Sequence, residues 1–466
     1  MTTLLLSLLK CLFLFTFTSA SPSQHIPLQF NTSFAAVNYS WSLIRSHSIL
    51  VTPVLNSIIS NAENALNQRA FSVMNKTLRP PSNDKHDYVS IGVYWWPCSS
   101  QRGGPPSCEC TNGTSSTCVT TSPTCDVTTG LPWVSCDGHI NRVANAAGDQ
   151  PSFAGLSNVV SALAQGFYWT RNETFALRVV ELVRIWFLEP DTRMNPNLNF
   201  GQSFPGVSNN GTFSGLIETD GVLINILDSI ALLTVDAPCG VGGASCSGSN
   251  VWTQTDDAAL ISWLTEWSQW LSLSPFSNEA LTFFNNHQTW LRGAWFLVSA
   301  WLNDTALGEK LLLGAKGGGP HPSICGQIGE GGSLPAEENR VNSIGYVIMD
   351  LRALLNLCAA SRYAPFVEAG GERTTGDLYT FQCVGGNQSS VLKAVEYMIP
   401  FALGEETWPF PSETTDFSGV APLFRQAAVS WDNSTFAAIA QAIKGESNTD
   451  ISVLWWNQDL GGMLTD

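Results

Sequence analysis

From about residue 153 onward, apolar positions recur with a helical period, and the spacing predicts a series of helices. Phe153–Thr170 is the first, and Glu173–Leu188 follows after a very short turn. Leu177, Val180, Leu182, Val183, Trp186 and Phe187 give the second a broad apolar face, and Pro190 ends it. Ile217–Leu233, Asp256–Leu273, His287–Leu302, Ser343–Ala360, Ser390–Ala402 and Thr435–Lys444 continue the pattern. Few runs alternate with period two, so little sheet is predicted. Long amphipathic helices joined by loops predict antiparallel pairs packed side by side, an all-α arrangement. Four stretches without helical period, 84–150, 189–216, 274–286 and 315–342, are rich in aromatic, Asn and Gly residues. Loops that long and that aromatic point to function rather than disorder. No charged or Gly/Ser linker divides the chain, so residues 21–466 are expected to form a single domain.

The first twenty residues stand outside this pattern. Met1–Ala20 is a short apolar run closing on small residues, with Thr18 and Ala20 placed as a cleavage signal. It reads as a secretory signal peptide rather than an anchor, and the expected product is extracellular. No later stretch reads as long and apolar enough to span a bilayer, so no membrane contact is expected after cleavage. Nine Asn-X-Ser/Thr sequons, at Asn31, Asn38, Asn75, Asn112, Asn172, Asn210, Asn303, Asn387 and Asn433, lead to the expectation of N-glycans. Cys11 leaves with the leader, and six of the other eleven cysteines crowd residues 98–136 (Cys98, Cys108, Cys110, Cys118, Cys125 and Cys136). In an oxidising compartment this Gly/Pro/Ser/Thr-rich stretch reads as a disulfide-held insert; zinc is disfavoured because no His pair lies near. Cys239 and Cys246 are expected to close a small loop, which leaves Cys325, Cys358 and Cys383 with one thiol over.

Hydrophobic residues make up 44% of the 466 and charged ones only 13%, which excludes a disordered chain. The net charge of −16 excludes a basic nucleic-acid binder. No metal-ligand spacing, phosphate loop or nucleophile elbow occurs, so neither metal nor cofactor is expected.

Four segments carry candidate chemistry. Phe283-Phe-Asn285-Asn286-His287 opens a helix with Asn285 or Asn286 as its cap. That helix end favours an anion, and amides with an imidazole there suit a carboxylate, although capping alone would also explain the asparagines. Arg340 precedes a helix whose first turns hold Tyr346. Six helical residues rotate through about 600°, so the two converge only if Arg340 lies in the loop and folds back. A nearby Arg is expected to lower the phenol pKa from its reference of about 10. The stretch 191–206 holds Asn195, Asn197 and Gln202, and Tyr94-Trp95-Trp96 is too crowded to point into one core. Amides and flat rings suit a sugar cleft, and each segment also has a structural reading as turn or packing.

Taken together, these segments resemble the alginate-lyase family of polysaccharide lyases. The likeness runs in order over residues 84–360: Tyr94-Trp-Trp-Pro97, Gly130-Leu-Pro-Trp133, Asp137-Gly138, Trp186-Phe187, and Thr192-Arg-Met-Asn-Pro-Asn197 with Gln202 and Gly206. It continues in Asn285-Asn286-His287 and Pro335-x-Glu337-x-x-Arg340-x-x-Ser343-x-x-Tyr346. The resemblance implies an incomplete α/α toroid of helix hairpins with long loops over one end, and β-elimination at a uronic acid without a cofactor. It implies that Asn286 and His287 neutralise the sugar carboxylate. Tyr346 would serve as base, or as base and acid in turn, and Arg340 would assist it. His287 as the base for one C5 epimer is a variant. Asn285, Asn195, Gln202, Tyr94, Trp95, Trp96 and Glu337 would bind substrate, with Glu337 holding Arg340. The expected partner is an acidic polysaccharide, of alginate or glucuronan type, and the expected state a monomer. The insert at 98–136 and the runs Glu338-Asn339 and Val341-Asn342 depart from the family pattern. Two other readings remain: a glycoside hydrolase on a similar toroid using Glu218 with Asp220 or Asp191, and a non-catalytic wall-binding glycoprotein.

Overall fold

The computed structural model describes residues 52–99, 103, 125–208, 210–234, 237–238, 245–317, 324–363, 377–383 and 389–445. The predicted leader, the sequons at Asn31, Asn38, Asn112 and Asn387, and Cys108, Cys110, Cys118 and Cys239 lie outside them.

The principal helices are α1 (Thr52–Leu66), α2 (Gln150–Thr170), α3 (Glu173–Val183), α4 (Ile217–Thr234), α5 (Gln254–Leu273), α6 (Asn286–Trp301), α7 (Thr305–Lys316), α8 (Ser343–Tyr363), α9 (Val391–Tyr397), α10 (Ala421–Ser430) and α11 (Ser434–Ala442). Helix α2 packs on α4, α4 on α6, α6 on α8 and α8 on α10, which makes an inner row. Helices α3, α7, α9 and α11 back α2, α6, α8 and α10, while α5 leans on α6 and α1 on α2. This is the incomplete α/α toroid. Burial explains the two rows. Helix α3 is apolar on one face, with Leu177 exposed, whereas nearly every residue of α6 is buried because neighbours surround it.

Local chemistry sets the helix ends. Asn285 caps α6 by accepting from the His287 N–H at 3.1 Å. Thr253 and Asp256 form a reciprocal capping box on α5, and Arg184 grips Asp256 at 2.6 and 2.7 Å. Helix α3 ends in a wider i→i+5 turn at Arg184–Leu188, and Pro190 follows it.

The structure departs from the periodicity in several places. Helices α1, α7 and α10 carried no clear signal; Gly308 and Gly314 within α7 weaken its helical reading. The expected helix over 390–402 is broken at Met398, because Pro400 removes a backbone donor and crowds the preceding turn. The stretch 274–286 contains a short helix, Pro275–Ala280, capped by Ser274. Contrary to the sequence reading, Ser343–Ser361 is apolar and long enough to cross a membrane. It is the inner helix α8, and core packing rather than lipid explains its composition.

Strands are few and short, as expected. β1 (Val89–Ile91) runs parallel to β4 (Phe200–Ser203), and β2 (Trp95–Trp96) pairs with β3 (Val134–Ser135). Cys98 bridges Cys125, and Cys325 bridges Cys383, so the buried Cys358 is the one of its three left outside a bridge. Cys136 and Cys246 are also disulfide-bonded. The described sequons, Asn75, Asn172, Asn210, Asn303 and Asn433, are all exposed.

Candidate active site at the N-terminal ends of the inner helices

Helices α6 and α8 pack side by side, and their N-terminal ends carry Asn286–His287 and Tyr346. Arg340 lies in the turn between the short helix Pro335–Glu338 and α8. That placement lets the guanidinium fold back over the helix start. Its NH2 donates to the Tyr346 hydroxyl at 2.7 Å, and its carbon sits 3.7 Å from the Tyr346 ring centre. The start of α8 is itself pinned: Ser343 donates to the Pro411 carbonyl and accepts from the Trp408 indole N–H.

Two residues complete the phenol's surroundings. The hydroxyls of Tyr94 and Tyr346 lie 2.7 Å apart. Tyr94 comes from the turn between β1 and β2, where Gly92 is needed because a Cβ would run into Trp95 and Phe204. Asp137 holds Arg340 in a two-pronged ion pair, Nε to Oδ2 at 3.1 Å and NH2 to Oδ1 at 2.7 Å. Gly138, at φ +84°, gives the turn that presents Asp137. Burial opposes the Arg340 charge, yet Asp137, with Tyr346 and Glu337, outweighs it and holds the pKa above its ordinary value.

The phenol itself behaves differently from the sequence expectation. Burial pushes the Tyr346 pKa up, and the opposing pull of Arg340 is smaller, so the net shift is upward. Tyr94 pushes it further the same way. Tyr346 is therefore a neutral phenol in this geometry.

On α6, Asn286 is completely buried and turned toward Glu337. Its backbone N–H and its Nδ2 both donate to Glu337 Oε1, at 2.8 and 2.7 Å, while its Oδ1 has no hydrogen-bond partner among the described residues. Glu337 thus holds Asn286 by its side chain, and Asp137 rather than Glu337 holds Arg340; Glu337 lies beneath the site at 1% exposure. Beside Glu337 is Asp350 of α8, buried, with neither carboxyl oxygen partnered among the described residues. Burial pushes both carboxyls up, Asp350 strongly. His287 keeps a partly exposed ring with a sealed Nδ1, packs edge-on against Phe213 at 5.4 Å, and is pulled down to about 4 by burial and then by Arg340. It is neutral near pH 7.

The other expected contacts are placed as follows. Asn285 caps α6. Asn195 gives its amide to Asp84 and Asp87, at 3.0 and 2.9 Å, which folds the segment before β1. Gln202, at φ +49°, bonds with Glu218, which also accepts from Tyr88 at 2.8 Å and Ser90 at 2.6 Å. Trp95 stacks on Phe204 at 4.1 Å, and Trp96 donates to the His139 carbonyl. Of the aromatic run, Tyr94 is the member that joins the Tyr346 cluster. Asp137 and Asp350 were not assigned from the sequence. Asp137 had a signal in the Asp-Gly turn, whereas a lone Asp inside an apolar helix gives none. The carboxylates considered for hydrolysis do not form a facing pair: Glu218 and Asp220 are buried and Asp191 is on the surface.

The arrangement offers a neutral phenol gripped by a cation, a neutral imidazole and a buried amide at one helix N-terminus. That set suits moving a proton next to a carboxylate. The model of the alginate lyase family matches residues 72–408. The crystal structure of an alginate lyase from Bacteroides ovatus superposes with a TM-score of 0.72 at 22% identity, covering 90% of this chain and 98% of that one. No curated protein sequence matches.

Proposed function

Because the chain belongs to the alginate lyase family and is a polysaccharide lyase, we propose that it cleaves a uronic-acid polymer of alginate or glucuronan type by β-elimination. The observation that carries this reading is the 2.7 Å contact of Arg340 with the Tyr346 hydroxyl beside the Asn286–His287 helix end. Elimination removes the proton on C5, next to the carboxylate, and expels the oxygen at C4. The costly moment is the negative charge that gathers on the carboxylate as C5 loses its proton. Asn286 and Arg340 are the groups suited to receive that charge. The neutral Tyr346 gives its proton to the departing O4, and Arg340 stabilises the phenolate left behind. With neutral Tyr346 as the acid, the C5 proton goes to His287; where Tyr346 is itself the base, it first takes the C5 proton as phenolate and then passes that same proton to O4. His287 near pH 7 has the lone pair this step needs.

The protein is proposed to act outside the cell, delivered by the Met1–Ala20 leader, with N-glycans on exposed sequons. A panel of polymannuronate, polyguluronate, glucuronan and hyaluronan, followed by the ultraviolet absorbance of the unsaturated uronate, tests the reaction. Rising absorbance with one of them is expected. New reducing ends without it would refute the elimination.

A further inference from the structure

The charges around this site do not favour an anion. Arg340 is the one cation of the cluster formed by Asp137, Glu337, Arg340, Asp350, His287, Tyr94 and Tyr346. His287 is neutral, and Asp350 lies buried without a counter-charge, so it carries its proton. Asp137 and an ionised Glu337 against Arg340 leave one net negative charge. Glu413 adds another on the exposed rim next to Gly138. A uronate would make the buried cluster doubly negative.

The Asn286 amide shows the same conflict in its hydrogen bonds. With Glu337 purely an acceptor, Nδ2 is drawn to it, and Oδ1 is left buried with no donor. A buried acceptor without a partner is costly. One proton on Glu337 removes both difficulties. The acid O–H then donates to Oδ1, the Asn286 backbone N–H still donates to Oε1, and Nδ2 with both its hydrogens is released. The cluster without its ligand becomes neutral.

We propose that Glu337 takes up one proton from solvent when an acidic sugar binds, and that this proton turns the Asn286 amide over so that Nδ2 faces the sugar carboxylate. The proposal rests on the uronate-elimination reading above and names how its carboxylate is received. Glu337 is in this sense a positioning residue: it touches Asn286, and Asn286 touches the sugar. Charge balances throughout, since the incoming uronate brings one negative charge and the proton one positive. Gln at 337 removes the titrating group but cannot copy the protonated form, because both Asn286 bonds end on the one atom Oε1, where an acid O–H can donate to Oδ1 and still accept the backbone N–H while an amide atom can do only one of these.

The test is calorimetric binding of a uronate oligosaccharide to Tyr346→Phe, which binds without turnover, in two buffers of different ionisation enthalpy at the same neutral pH. Uptake of about one proton per sugar bound is expected. In the double variant with Glu337→Gln, uptake should vanish. No uptake in Tyr346→Phe, or equal uptake in both proteins, overturns the proposal. A second measurement does not need Tyr346→Phe to fold. Glu337→Gln alone should lose the rise of KM with pH, because position 337 no longer titrates. A Gln variant that keeps that rise overturns the proposal. Failure of the underlying reading looks different: the unaltered protein then forms no unsaturated product from any uronan.

Discussion

Tyr346→Phe separates chemistry from binding at this site. The substitution removes one oxygen and leaves the ring, so the stacking of Arg340 at 3.7 Å survives. Two hydrogen bonds disappear, the 2.7 Å donation from Arg340 and the 2.7 Å contact with Tyr94. Arg340 keeps both prongs to Asp137, and Tyr94 is partly exposed, so neither is stranded. The stability loss should therefore be on the order of 1–2 kcal/mol, with native circular dichroism. Activity should fall far more. If the hydroxyl delivers the proton to O4, its loss removes acid–base catalysis of roughly 100- to 10,000-fold, about 3–5 kcal/mol of barrier. Initial rates of unsaturated product measure the first quantity. Calorimetric affinity for a resistant oligosaccharide, expected within about fivefold of the unaltered protein, measures the second. A variant that keeps a tenth or more of the original kcat refutes the assignment. So does one that loses its affinity in proportion to its rate, because the hydroxyl would then be adhesive rather than reactive.

Asp137→Asn should cut kcat by about 10- to 100-fold with a smaller change in KM, because Arg340 loses the carboxylate that aims it at the Tyr346 hydroxyl; an unchanged kcat would remove Asp137 from the machinery. Stability should rise as the medium turns acidic. Burial lifts Glu218 to about 7, and burial against the pull of Lys76 leaves Asp149 at about 6, so both bind protons more tightly folded than unfolded. Their contribution is complete below the ordinary carboxylate range and is lost as pH climbs through about 6 to 7. His287 runs the other way, losing its contribution as pH falls toward about 4, so it offsets one of the two carboxyls and leaves a net decline as pH rises. Thermal melts at pH 5 and 8 check this, and a higher Tm at pH 8 would contradict it. Glu218→Gln should flatten that slope while Tyr88 and Ser90 keep a partner; an unaltered slope would clear Glu218 of the effect.

How much of this was legible in the sequence differs between particular residues. The inner helices α2, α4, α6 and α8 were visible because apolar positions recur along them, and Asn285-Asn286-His287 announced a helix start by cap chemistry alone. The folding back of Arg340 was open to inference, since the helical angle to Tyr346 forbade contact by any other route. Helix α7 was not visible, because Gly308 and Gly314 weaken its propensity and its stability comes from packing on α6. The direction of the Tyr346 pKa was misread for a related reason. Sequence adjacency reveals the attractive neighbour, Arg340, but burial belongs to the assembled fold and exceeds that attraction.

The same limit applies to the whole-chain charge. A net charge of −16 read along the chain argues against a polyanion as substrate. At physiological ionic strength, however, charges beyond about 8 Å are largely screened, so only the few groups within reach of the bound sugar matter. Those groups are scattered over more than two hundred residues, from Asp137 to Asp350, and no local stretch holds their sum. Once assembled they carry one cation, two carboxylates that attract it, Asp137 by an ion pair and Glu337 across a longer distance, and a third carboxyl that is neutral. A site so close to balance can be reversed by a single proton, which a permanently basic cleft could not be. Affinity for an acidic polymer should then depend on pH through Glu337 more than on salt. If raising the ionic strength weakens binding more than raising the pH from 6 to 8, long-range charge governs after all, and the local account fails.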